Sequence, residues 1–227
     1  MKTPEDILAI NLDWVRSGYT FDYIHSIYEK VSDEDHFTHY NIDDIQRSLG
    51  KKALTNISKP TDAELKEITF IVIGAHDCNG ELDFLAKCEN IEEIYINSCS
   101  ARNNLIKNIE PLVHLKKLKT ILLGYHEISD LTPLSELKNI EHLELSGNPI
   151  KTIKPLLQLR KLKYLGLSSA KDSEVFELVK NSKEAVVEYH SKEADETMRA
   201  FWDKKKEKAV ALAKYKNGIP VEIIINK

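Results

Sequence analysis

The sequence predicts an α/β solenoid, a stack of coils that each give one short strand to a parallel sheet. Three observations predict it. Apolar residues return every 22 positions in several columns at once: Leu118, Ile140 and Leu162; Ile121, Leu143 and Leu165; Leu123, Leu145 and Leu167; Ile106, Ile128 and Ile150. Within each copy the second and third columns lie two residues apart, which puts both side chains on one face of a strand and the residue between them on the other. Each copy then passes a polar corner, as in Ser146-Gly147-Asn148-Pro149, and a Pro-Leu pair at 111, 133 and 155. A unit this short cannot bury its apolar face alone, so the copies stack and share one core.

Taken in chain order, residues 1–60 read as a helical N-terminal cap. Thr3-Pro4-Glu5-Asp6 supplies an N-cap, a first-turn proline and a capping-box acid for a helix with Ile7, Leu8, Leu12 and Val15 that stops at Gly18. Thr20 opens a second helix with Tyr23, Ile24, Ile27, Tyr28 and Val31 on one face. Asn41 with Asp44 opens a third, carrying Ile42, Ile45 and Leu49 to Gly50. Residues 61–190 form the solenoid of about five to six turns, with coils beginning at 68, 91, 118, 140 and 162. The coil from 91 is longer, with extra residues between Cys99 and Ile106, and Val186, Val187 and Tyr189 supply a further strand. Residues 191–227 read as an α/β C-terminal cap. Its first part, 191–208, is expected as a helix with Met198, Phe201 and Trp202 inward. The stretch 209–216 is open between helix and strand, and Asn217-Gly218 between two apolar runs favours a hairpin.

The string Leu143, Leu145, Asn148, Ile150, followed by a segment such as Leu131, Pro133, Leu134 and Leu137, resembles the leucine-rich repeat family. It is similar to the 22-residue class shared by bacterial internalins and phosphatase-regulatory proteins. That resemblance covers roughly 65–190. It implies a right-handed superhelix with short parallel strands, and protein recognition as the activity. Asn148 is expected to turn inward and bond to the backbone of neighbouring coils. His76, Cys99, His126 and Ala170 stand at the equivalent corners, where the asparagine pattern is broken.

Composition narrows the function. The chain has 227 residues, 42% of them apolar, and a net charge of only −4, so no overall field marks nucleic acid or an anionic membrane as partner. Residues 1–50 carry ten acids against four basic residues. That balance opposes the alternative reading of a nucleic-acid-binding regulator acting through the N-terminal helices, because phosphate contact needs clustered Lys and Arg. The N-terminal segment lacks the basic and then apolar order of a signal peptide, and no segment is long and apolar enough to span a bilayer, so a cytoplasmic location is expected. Three cysteines without a C-x-x-C pair suggest reduced thiols.

No phosphate-cradling glycine loop, nucleophile elbow or zincin motif is present. Catalytic, cofactor and metal sites are therefore expected to be absent, and an enzyme with a site between cap and solenoid is a further alternative. His36 and His39 lack a third ligand at fixed spacing, and His76-Asp77-Cys78 resembles a triad in composition only.

The outward strand positions carry the positive expectation. They place Glu93, Tyr95, Leu122, Tyr125, His142, Glu144 and Tyr164 along the concave face as the partner-binding residues, an apolar and aromatic patch edged by charge. Phe70 and Val72 are expected to sit under the N-terminal helices. Lys116, Lys138 and Arg160, with Lys117, Lys119, Lys161 and Lys163, form a basic ridge expected to be a solvated face. The segment 100–104 is a loop of the kind that carries recognition. The reading is a non-catalytic protein-interaction module, with toxin neutralisation or enzyme regulation as narrower versions.

Overall fold

A computed structural model describes residues 3–33, 42–51, 58–75, 77–98, 105–191, 196–205, 207–216 and 219–223, the backbone alone at 29–33, 44, 196, 211–216 and 219–223. Two compact units emerge, Met1–Leu118 and Lys119–Lys227.

The first unit opens with α1 (Pro4–Arg16), α2 (Phe21–Asp33), α3 (Ile42–Ser48) and the short α4 (Asp62–Leu65). The capping box at Thr3 forms, with the Thr3 amide donating to Asp6 Oδ2 at 2.9 Å and the Asp6 amide to Thr3 Oγ1 at 3.2 Å. Gly18 and Gly50 take left-handed φ just past α1 and α3. A second capping box, Thr61 with Glu64, opens α4 and was not foreseen in the sequence. Tyr23 departs from the expected apolar face of α2: it is half exposed and stacks on Tyr19 at 5.6 Å. Asn41, expected to cap α3, lies outside the described residues.

Strands β1 (Phe70–Gly74) and β2 (Glu93–Asn97) pair in parallel, Ile71 opposite Ile94 and Ile73 opposite Ile96. Short 3₁₀ turns follow them at Asp83–Lys87 and Glu110–His114. Every position of β1 is buried because α1, α2 and α3 pack against it. The backbone of β1 is satisfied by side chains: Asn11 Oδ1 accepts from the Val72 amide at 3.0 Å, and Asp77 Oδ2 from the Gly74 amide at 3.1 Å. An unpaired buried amide would cost about 1–3 kcal/mol, so Asn11 and Asp77 supply what a neighbouring strand otherwise would.

In the second unit β3 (Thr120–Leu122), β4 (His142–Glu144), β5 (Tyr164–Gly166) and β6 (Val186–Ser191) run parallel, with Ile121, Leu143, Leu165 and Val187 in register. All four of these side chains are fully buried. Each adds roughly 1.5–3 kcal/mol of apolar burial. The 3₁₀ turns Thr132–Glu136 and Lys154–Gln158 carry Pro133 and Pro155 in their first turn, where the missing amide has no partner to lose. In the last coil α5 (Asp172–Asn181) takes the place of such a turn. Its Glu174 accepts from the Ile153 amide at 2.8 Å, and its Asp172 accepts from the Tyr189 hydroxyl at 2.8 Å.

Beyond β6 the expectation of a helix over 191–208 is corrected. Residues Glu196–Asp203 form β7, antiparallel to β6, followed by antiparallel β8 (Lys208–Lys216) and β9 (Ile219–Ile223). Met198 and Ala200 are buried while Thr197 and Arg199 are exposed, a period of two. The helix-forming Glu and Lys content is overridden because β6 offers an open edge along its whole length. Of the two alternatives for 209–216 the strand is adopted, and Asn217-Gly218 lies outside the described residues. The parallel coils make this a leucine-rich repeat solenoid.

Candidate protein-interaction face

Five of the seven expected contact residues belong to the second unit, four of them on the face of β3, β4 and β5 opposite the buried apolar residues and Tyr125 at the corner after β3. His142 stands beside Tyr164 and Leu122 beside Glu144 across adjacent strands, at the ~4.8 Å spacing of a sheet. His142 is exposed, and Leu122, Glu144 and Tyr164 are partly exposed. The Tyr164 hydroxyl donates to Glu144 Oε2 at 3.2 Å, and Glu144 Oε1 accepts from the Ser146 amide at 2.7 Å. Burial pushes the Tyr164 hydroxyl up to about 12, with the Glu144 and Glu188 charges adding to it.

Gly166 makes this arrangement possible. A Cβ on it would fall 1.9 Å from Glu144 Oε2, so the absence of a side chain is what lets the carboxylate lie across β5. Glu188 sits on the far side of Gly166, and Arg199 opposite Glu188. The row therefore runs from apolar Leu122 through two carboxylates to a guanidinium.

Tyr125 follows β3 at the corner. It is 71% exposed, the most open large apolar side chain among the described residues, and its backbone is left-handed with φ 60°. The equivalent residue one coil on is Gly147, φ 77°, and a Cβ there would meet the Tyr125 ring at 2.5 Å. Tyr125 thus occupies a position suited to glycine, at a cost of about 1–2 kcal/mol, with its ring laid over the glycine below.

Glu93 and Tyr95 belong to the first unit, on β2. Both are partly exposed, and Tyr95 is covered from one side by α2: its ring meets His25 edge-on at 4.3 Å and Tyr28 at 5.2 Å. The covering expected for Phe70 and Val72, both buried, extends to this tyrosine as well.

Four residues of the basic ridge, Lys117, Arg160, Lys161 and Lys163, are engaged coil to coil. Lys117 donates to Asn90 Oδ1 and Lys161 to Asn139 Oδ1, each at 2.7 Å, while Lys163 pairs with Glu141 and holds that carboxyl below the usual range. Arg160 donates to the Asn181 carbonyl at 2.8 Å and Lys138 to that of Ser135.

At the corner Asn148 does what its position implies. Its Nδ2 donates to the carbonyls of Leu123 at 2.7 Å and Leu145 at 3.0 Å, and its Oδ1 accepts from the Ile128 amide at 3.0 Å. His126 is buried at the equivalent corner, and His76 and Cys99 lie outside the described residues, as do His36, His39 and 100–104. Asp77 and Cys78 are buried in structural bonds, the thiol donating to the Ala75 carbonyl. Burial pushes Cys78 up to about 11 and Cys88 to about 12, the opposite of an activated nucleophile. Among the described residues no group of three His, Cys, Asp or Glu could hold a metal ion, and no helix is long and apolar enough to cross a membrane.

Two features escaped sequence reasoning. Asn108, Asp130 and Thr152 recur at 22 and accept from the amides of Glu110, Thr132 and Lys154, closing the entry to each 3₁₀ turn. That column was visible as polar residues two places before the residue preceding or beginning each Pro-Leu segment. Arg199 was missed because the helix expected over 191–208 hid the continuation of the sheet.

No family model matches the chain, and no curated protein matches it. Among solved structures it is similar to an internalin, InlF, from Listeria monocytogenes strain 4b F2365, at 22% identity and a TM-score of 0.46, over 64% of this chain and 52% of that one. It is also similar to internalin C2 of the same strain, at 16% identity and a TM-score of 0.42, over 63% and 78% of the two chains. The chain thus spans about half the length of InlF. By its own coils, with parallel strands in a 22-residue register, a proline in the first turn of each 3₁₀ segment and an inward asparagine at the corner, the chain has the fold of a leucine-rich repeat solenoid.

Proposed function

We propose that the chain is a non-catalytic recognition protein whose outward strand face, centred on Leu122, Tyr125, His142, Glu144 and Tyr164, grips another protein. Tyr125 is the observation that carries the reading. A tyrosine 71% exposed at a left-handed position is retained against both hydration and backbone strain, and such cost accumulates where a side chain serves a partner. Leu122 and Tyr164 add apolar area next to it, and His142 and Glu144 supply polar groups that fix register. Within this reading residues 1–60 close one end of the solenoid and 191–227 the other. The narrower roles are toxin neutralisation or control of an enzyme, in the cytoplasm. Glu93 and Tyr95 are contact residues of the first unit.

The experiment is quantitative co-purification from native lysate with wild-type bait and with the Leu122→Ala/Tyr125→Ala/Tyr164→Ala variant. One stoichiometric protein is expected with wild type and reduced at least tenfold with the variant, at unchanged circular dichroism. Equal recovery of that protein by both baits overturns the proposal.

A further inference from the structure

A depression of about 470 Å³ opens in the second unit where β6 begins and β7 ends. Its size is that of a site for one large side chain with room to spare. Val186, Phe201 and Trp202 provide its apolar wall, and Lys183, Glu184 and Arg199 its rim. Phe201 and Trp202 are only partly exposed in the free protein, so an occupant would cover area that water now wets.

The rim charges are not equivalent. Glu184 is held by Lys204 at 2.7 Å, and that ammonium keeps its carboxyl below the usual range. Arg199 faces Glu188 across the strand pair. Lys183 is held by no carboxylate among the described residues; its ammonium lies over the Trp202 ring, 5.0 Å from the centroid. The charge left over at the mouth is therefore positive, and it stands directly against the aromatic wall.

From this we infer that the depression takes an aromatic side chain of an acidic segment of the protein partner, the ring lying against Val186 and Phe201 beside Trp202 and a neighbouring carboxylate meeting Lys183. The inference rests on the protein-recognition reading above and specifies the partner's chemistry. It also places an anchor on residues that Tyr125 does not touch, because Val186 and Phe201 continue the outward row of His142 and Tyr164.

The test uses capped tripeptides and the full chain, followed by ¹⁵N NMR. The two tryptophans give two indole signals, and Trp14, wholly buried with its indole donating to Gln46 at 3.1 Å, serves as internal reference. Acetyl-Asp-Phe-Asp-amide is expected to shift the Trp202 indole and the amides of 183–186 and 199–202, saturating with a Kd on the order of 1 mM. Acetyl-Lys-Phe-Lys-amide is expected to bind about fivefold more weakly or worse, and acetyl-Asp-Ala-Asp-amide not to saturate. Lys183→Glu, a change at an exposed residue, is expected to reverse the preference between the two charged peptides. Equal binding of the acidic and basic peptides, shifts away from Trp202, or a Lys183→Glu protein with the wild-type preference would each overturn it. The two proposals fail separately: peptides that miss Trp202 while the triple variant still loses its captured protein sink only the pocket. Peptides that bind as expected while that variant keeps its captured protein sink only the Tyr125-centred face.

Discussion

At Tyr125 two opposing demands meet in one residue. Its φ of 60° favours glycine, yet its ring covers Gly147 and faces solvent. Tyr125→Gly removes the strain but adds freedom to the unfolded chain, so thermal denaturation should show a change of no more than about 1 kcal/mol. Partner affinity, by contrast, is expected to fall about thirtyfold or more in a titration with the captured protein. The reciprocal change separates geometry from chemistry. Gly147→Ala introduces both a left-handed alanine and a Cβ 2.5 Å from the Tyr125 ring, and a loss of about 1–3 kcal/mol is expected in urea denaturation. Asn148→Ala strips three backbone partners at once, from Leu123, Leu145 and Ile128, and should cost about 3 kcal/mol by the same measurement. The asparagine's role was legible in the sequence because a corner residue with both donors and acceptors has few other uses. That Tyr125 would adopt the glycine conformation was legible only in part: the 22-residue column aligned it with Gly147, but the alignment does not say which residue bends to the other.

The elements show where periodicity suffices and where it misleads. In β3, β4 and β5 the central apolar residue is buried and the residue before it faces outward as the alternation predicts; only Gly166, an outward position by that alternation, is buried. Leu143→Ala, in the middle of that core, is expected to cost about 2–5 kcal/mol. In β7 the apolar residues Met198, Phe201 and Trp202 fit a helical spacing, and the helix was the natural reading. The buried set is instead Met198 and Ala200, with Phe201 and Trp202 left partly open around the depression. An eight-residue strand gains its stability from six paired positions on β6, which no local pattern announces. Similarly, the partial covering of Tyr95 was hidden, because it depends on where α2 lands and not on β2 itself.

For the whole molecule the pH response follows from buried thiols and a tyrosine. Cys78 and Cys88 are raised by burial from their ordinary 9.0 to about 11 and about 12, and Tyr164 from 10.0 to about 12. A group whose folded value is raised contributes stability that is complete below its unfolded value and is lost as pH climbs toward the folded one. The denaturation midpoint is therefore expected to hold between pH 7 and about 8.5 and to fall steadily from about 9 to 12. Alkylation at pH 8 should leave Cys78 and Cys88 unmodified in the folded protein and label both in denaturant, as read by peptide mass spectrometry.

What the sequence by itself determined is the coil: a 22-residue apolar register admits one way of burying its leucines, because the alternation of a strand and the proline at a turn are local facts. Tertiary structure alone decided which outward residues remain open, since exposure depends on what other segments lie upon them. Helix α2 covers part of Tyr95, α1 supplies Asn11 to the edge of β1, and β6 draws 196–203 into strand and so creates the depression at Trp202. Burial of a repeat is settled by neighbours one period away, whereas the surface that meets a partner is settled by contacts whose distance along the chain carries no period at all.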